Sequence, residues 1–192
     1  MRCNFGAALS FGQRPDFDGQ GLHNTAGDSG GWTAYGVTLS TFAEFCRRQG
    51  RPTPTPHDLG AITHADVAAI YLQFWDAVRG DQLPCGVDLV AFDFANGSGP
   101  HNSIVLLQLA AGVPGDGVFG PATLAAVLRA DPDVLIDRLT HRDEDFYAHC
   151  ASAGLFLRGW DRRAEARCVA AHAEAAAWRA KAAAARAVLA AA

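Results

Sequence analysis

A chain of 192 residues with 49% hydrophobic and 19% charged side chains can bury one core, which excludes a disordered chain. Its formal net charge of −4 provides no broad basic field, which excludes nucleic acid and anionic lipid as its main partners. No apolar run is long enough to span a bilayer, and the opening stretch, interrupted by Gly6, Gly12 and Gln13, does not read as a secretory signal. Synthesis in the cytoplasm is therefore expected, with action outside depending on release by something else.

The elements read as helical almost throughout. Residues 12–31 are rich in glycine and aspartate and predict an ordered loop or extended segment. The strand-like composition of Thr33 to Thr38 allows a small hairpin. Leu39 to Arg48 reads as a short helix, followed by a proline-rich connector from Arg51 to Pro56. Thr63, with Asp66 three residues on, opens a helix whose apolar face is Val67, Ile70, Tyr71, Phe74 and Val78. Val87 to Ala95 is a further helix, which Asn96-Gly97 is expected to end. Gly112 to Gly120 predicts a tight loop, with Asp116 as a turn residue. Pro121 stands in the first turn of the next helix, and Ile136, Leu139, Phe146, Tyr147 and Cys150 mark another. From about residue 163 alanine dominates, which predicts a helix that leans on the body and frays at its end. Arg158, Arg162, Arg163 and Arg167 along this region read as a solvated face.

Five cysteines without a CxxC pair fit reduced thiols, with Cys46 and Cys150 in the core. The seven histidines are scattered without a metal-binding spacing, so no metal and no cofactor are expected.

The segment from Asp16 to Thr38 carries the chemistry. It holds the carboxylates Asp16, Asp18 and Asp28, six glycines, and the rings of Trp32 and Tyr35. Carboxylates supply acid and base capacity, glycines let a ligand approach the backbone, and amphipathic rings suit sugars. The plain alternative is a loop in which Asp18 and Asp28 cap turns.

GDSGGWTAYGVT resembles the D-x-GG-x-T-x-x-G-(I/V)-T signature of the family 108 glycoside hydrolases, N-acetylmuramidases that include phage-type endolysins. ADVAAIYLQFWDAVRGDQLPCGVDLVAFDFANGSGP resembles the same family's A-x-x-IY, W-D, D-x-LP and FD-x-x-x-N-x-G motifs. VLLQLAAGVPGDGVFGPATLAAV resembles its peptidoglycan-associated region, and LIDRLTHRDEDFYAHC and GWDRRAEA its final helices. Together these motifs cover roughly residues 5 to 170, in order.

The resemblance implies an all-α, lysozyme-like fold, to which composition adds the alanine-rich C-terminal helix. It implies hydrolysis of the β-1,4 bond between N-acetylmuramic acid and N-acetylglucosamine. Residues 1–105 would form the catalytic region, 106–170 a peptidoglycan-associated helical region, and 171–192 the tail. The partner would be the glycan strand at the cell wall; separately, a monomer is expected, and the lack of a signal segment leaves release to a holin-like partner or lysis.

In the family a catalytic glutamate stands about nine residues before the position of Asp28. This chain has no glutamate before Glu44. Three residues are candidates for its place: Asp18, whose Asp18-Gly19-Gln20-Gly21 partly mimics the motif; Asp16, if the loop is shifted; and Gln13, an isostere that keeps the shape but cannot donate a proton. An aspartate draws the acid back by about 1.5 Å, and misplacement on that scale costs on the order of 100-fold in rate. Asp18 is taken as the acid, with Asp28 and Thr33 placing water or sugar across the cleft. Trp32, Tyr35, His23, Asp93, Asn96 and Ser98 are expected to bind substrate. A catalytically silent wall-binding or secretion-helper protein is the competing reading.

Overall fold

The computed structural model describes residues 4–17, 21–28 and 30–190. Among these, nine α-helices and three short strands follow one another. In order they are α1 (Phe5–Gly12), β1 (His23–Asn24), β2 (Trp32–Ala34), β3 (Val37–Thr38), α2 (Leu39–Arg48), α3 (Pro56–Gly60) and α4 (His64–Ala77). After a 3-10 turn at Gly80–Gln82 come α5 (Val87–Ser98), α6 (Pro100–Ala110), α7 (Pro121–Arg129), α8 (Pro132–Ala148) and α9 (Ala153–Ala190). The chain thus has the mostly helical, lysozyme-like architecture expected of it, with the hairpin present. None of the described helices is long and apolar enough to cross a membrane.

Helix α5 is the axle. Every residue from Val87 to Ala95 is buried, and the helix packs against α1, α4, α6, α8 and α9. Around it Phe5, Tyr71, Trp75 and Phe92 meet edge to face, with Phe92 5.6 Å from Trp75. Such contacts add about 0.5–1.5 kcal/mol each beyond the area buried.

The helix boundaries follow local chemistry. Thr38, Thr55, Thr63 and Asp131 each cap a helix by accepting from a backbone N–H of its first turn. Pro100, Pro121 and Pro132 occupy first-turn positions, where no N–H is required. Helix α5 does not end at Asn96-Gly97 but runs to Ser98. The stop is Gly99, at φ +83°, from which Pro100 starts α6. In the α6–α7 loop, Asp116 accepts from Gln108 Nε2 (2.7 Å) and the Val118 N–H (2.9 Å), a turn role as expected.

Helix α9 is longer than the alanine-rich stretch suggested, starting at Ala153, and it lies along α8. Its inward stripe is Ala164, Arg167, Ala171 and Ala175; beyond Ala175 the helix is almost wholly exposed. Small residues let it approach α5 closely. Gly86, at φ +90°, faces the Ala171 carbonyl oxygen, which any Cβ there would overlap, and that Cβ would lie 2.9 Å from Ile136 Cδ1. Gly86→Ala is therefore expected to cost about 2–4 kcal/mol from overlap and backbone strain together. A thermal melt would show this as a fall in Tm of roughly 5–15 °C.

The four arginines of this region do not form one solvated face. Arg158 and Arg162 are exposed, but Arg163 is mostly covered and Arg167 is fully buried, because both reach buried carboxylates. Cys46 lies in the core as expected, whereas Cys150 is only half-buried; the four described cysteines are free thiols.

Candidate active site

A cleft of about 590 Å³ opens between the hairpin and the α8–α9 pair. One wall is polar. Residues His23, Thr33 and Thr38 sit opposite one another across the three strands, His23 paired with Thr33 and Thr33 with Thr38, and all three line the cleft. Asp28 joins them, its Oδ1 accepting from the Gly30 N–H at 2.8 Å in a tight turn. Asn96, Gly97 and Ser98, where α5 emerges from the core, continue this wall.

The opposite wall is aromatic and comes from α8 and α9. Tyr147 and Trp160 lie 5.2 Å apart with planes 31° from parallel, and Phe156 follows Trp160 at 5.7 Å. Half-buried Phe156 and Trp160 offer flat apolar faces of the kind that pyranose rings cover.

The floor is an ionic network. Asp93 is buried and accepts from Arg163 at 2.7 and 3.0 Å and from Arg167 at 2.9 Å. Burial pushes its carboxyl up, but the two guanidiniums outweigh that and hold it below its ordinary value. Asp143 accepts from Arg167 at 2.6 Å, yet burial pushes its carboxyl up, with Arg167 opposing. Asp93 lines the cleft, but its side chain is fully covered and both of its oxygens are spent on two cations.

Arg162 and Arg163 also grip the segment after α1. Arg162 donates to the Asp16 carbonyl at 2.7 Å, and Arg163 to the Gly12 carbonyl at 3.4 Å. The Phe17 ring lies beneath both Arg14 (4.6 Å) and Arg163 (5.4 Å). Helix α9 therefore fixes the backbone that leads into residue 18.

The expected site residues separate on this geometry. His23, Asp28, Thr33, Asn96, Ser98 and Asp16 line the cleft. Asp18 lies outside the described residues. Gln13 caps the end of α1 and does not line the cleft. Asp16 is exposed, and its hydrogen bonds from Arg14 (2.8 and 3.1 Å) hold its carboxyl below the ordinary value, so it is an anion and a poor acid.

Trp32 and Tyr35 are the clearest corrections. Strand side chains alternate, so Trp32 points away from the face that Thr33 gives to the cleft, and it stands exposed. Tyr35 is the first residue of a two-residue hairpin turn, Tyr35-Gly36, with φ +51° and +74°. Its carbonyl accepts from the Tyr71 hydroxyl at 2.9 Å and its ring abuts His64, so it builds the hairpin instead of touching the cleft.

Residues 18–99 match the family model described as glycosyl hydrolase 108, and residues 102–165 match one described as a predicted peptidoglycan domain. Among solved structures, that of Brucella abortus SagA superposes with a TM-score of 0.82 at 31% identity, over 91% of this chain and 97% of that one. The chain belongs to the glycosyl hydrolase 108 family. Among curated protein sequences nothing matches it. Membership makes this a peptidoglycan-related glycosyl hydrolase family chain, and the two walls fall in the two different matches. The polar wall lies within the glycosyl hydrolase 108 match, whereas Tyr147, Phe156 and Trp160 lie within the peptidoglycan-domain match. The aromatic wall is the part of the site that the sequence motifs do not announce: Tyr147 falls in an amphipathic helix pattern, Trp160 in the GWDRRAEA stretch, and Phe156 in neither.

Proposed function

We propose that the protein is an N-acetylmuramidase that cleaves the β-1,4 bond between N-acetylmuramic acid and N-acetylglucosamine, acting at the cell wall as a monomer. The two-walled cleft carries this reading. A glycan strand would lay its ring faces on Trp160 and Phe156 and turn its hydroxyl and N-acetyl groups toward Thr33, Asn96 and Ser98. Asp18 is the proposed general acid. Asp16 and Asp93 are held as anions by arginines, and Gln13 has no acidic proton. Asp18 follows Phe17, which the two arginines clamp at the cleft. The acid would protonate the leaving oxygen, the C1–O bond would break, and water held by Asp28 and Thr33 would add at C1 and give up its proton to the Asp28 carboxylate.

Digestion of purified peptidoglycan tests this. Soluble fragments with muramic acid at the new reducing end are expected; glucosamine there, or no fragments at all, would refute it. The absence of any glutamate before Glu44 favours a second reading, a silent wall-binding or secretion-helper protein. That reading predicts sedimentation with insoluble wall and no release of fragments.

The aromatic wall gives a separate expectation. Trp160→Ala should raise KM by roughly 3–10-fold, the worth of one stacking surface, with kcat little changed. Initial rates over a range of soluble glycan concentrations would show the split.

A further inference from the structure

Away from the cleft, α8 and α9 bring together a thiol, an imidazole and two carboxylates. Asp133 and Asp137 are one turn apart on α8, and Cys168 and His172 are one turn apart on α9. His172 Nε2 lies 2.8 Å from Asp137 Oδ1, and Cys168 Sγ lies 3.9 Å from that same oxygen. One ligand atom from each of Asp137, Cys168 and His172 falls within 4.8 Å of the others. The second ring nitrogen, Nδ1, faces Asp133 Oδ1 at 3.1 Å, and Asp133 is itself held by Arg179 at 3.0 Å.

We propose that Asp137, Cys168 and His172 form a binding site for a zinc-class divalent cation, with Asp133 orienting the imidazole. A tetrahedral zinc ion, with bonds of about 2.0 Å to N or O and 2.3 Å to S, sets its ligand atoms roughly 3.3–3.6 Å apart. The distances of 2.8 and 3.9 Å bracket that range, so small side-chain rotations suffice. The donor set selects the metal: thiolate and imidazole favour zinc over magnesium or calcium, which take oxygen. The Asp133–His172 contact is the outer-shell arrangement that metal-binding histidines use, one nitrogen on the ion and the other donating to a carboxylate. Three protein ligands leave the fourth position to water. Binding releases the thiol proton, and the Nε2 proton where the ring carries one.

A second group, Cys85, Asp88 and Glu174, is less suited. Asp88 is already committed to the Gly86 and Leu89 N–H groups and to Asn4, and burial beside Asp88 pushes the Glu174 carboxyl up to about 7. It serves as the control.

The α9 ligands Cys168 and His172 stand eight and twelve residues from Trp160, roughly 12 and 18 Å along the helix axis, so the proposed site takes no part in the chemistry of the cleft. Its consequence is mechanical. A bound ion pins α9 to α8 and so fixes the register of the helix that carries Trp160, Arg162 and Arg163.

Titration of the full-length reduced protein with Co²⁺ tests the site without reference to wall hydrolysis. One equivalent should produce a thiolate-to-cobalt charge-transfer band and the visible bands of a tetrahedral ion. Cys168→Ser should abolish the charge-transfer band, Asp133→Asn should weaken binding by roughly 10–100-fold, and Cys85→Ser should change nothing. Zinc at about 100 times its Kd should raise Tm by roughly 5–10 °C in the parent chain and not in Cys168→Ser. No band in the parent chain, a band that survives Cys168→Ser, or one lost with Cys85→Ser would overturn the proposal.

Discussion

Asp18→Asn is expected to lower peptidoglycan hydrolysis by roughly 10²–10⁴-fold, the usual worth of a general acid, and to leave Tm unchanged. The change keeps the side-chain shape and removes the one proton the reaction needs. Asp16→Asn should leave the rate nearly intact, because Arg14 already holds that carboxyl as an anion that cannot protonate a leaving group. Asp18→Glu is the more informative partner. It restores the side-chain length of the family's acid, moving the carboxyl out by about 1.5 Å. If reach limits the parent enzyme, Asp18→Glu should raise the rate by up to about 100-fold. Release of fragments from purified wall, followed over time for the three variants, checks all of this. Undiminished release by Asp18→Asn would remove Asp18 from the acid's role. No release by any variant, including Asp18→Glu, would leave the silent wall-binding reading.

The sequence resolved what is local and lost what is distant. Helix α2 was legible to its end residues because Thr38 caps it and its apolar face repeats cleanly. The hairpin was legible because Tyr35-Gly36 supplies the turn between strand-like residues. For Trp32 the aromatic composition points to the cleft, but the period-two alternation of the strand puts its ring on the face opposite Thr33. Asp93 and its arginines were lost for another reason. Their partners stand 70 and 74 residues apart in the chain, and no local pattern announces the pairing. A signal did exist. Trp160, Ala164, Arg167, Ala171 and Ala175 recur at helical spacing, so an arginine sits inside an otherwise apolar stripe. An arginine there is covered on folding and must meet an anion, so it is no part of a solvated face. The same distance hid the Asp137–Cys168–His172 group, whose members fall on two helices instead of within one short motif.

Arg167→Ala is expected to cost about 3–5 kcal/mol, the price of breaking a buried ion pair from one side. In a chain of this size that is a fall in Tm of roughly 6–20 °C. The argument turns on what each carboxylate does once the guanidinium is gone. Asp93 keeps both hydrogen bonds from Arg163 and can remain an anion. Among the described residues Asp143 keeps no cation as a hydrogen-bond partner; burial, which already pushes it up, would leave it protonated at neutral pH. Arg167→Met should therefore cost less than Arg167→Ala, because it fills the space of the stem while Asp143 escapes its charge by taking a proton. Asp143→Asn should be milder still, since the amide oxygen can accept from Arg167 and Asp93 continues to balance that cation. Urea melts of the three variants give the order. If Asp143→Asn proved as damaging as Arg167→Ala, Asp143 would have to be an essential anion, and the balance of charge under the cleft would rest on it instead of on Asp93. Loss of Arg167 should also reach the cleft, because Asp93 links it to Arg163, and Arg163 holds Phe17 and the end of α1 in place. Arg167→Met is thus expected to lower kcat while leaving KM near its parent value, since Trp160 and Phe156 still receive the sugar rings and only the grip on the segment before Asp18 has loosened.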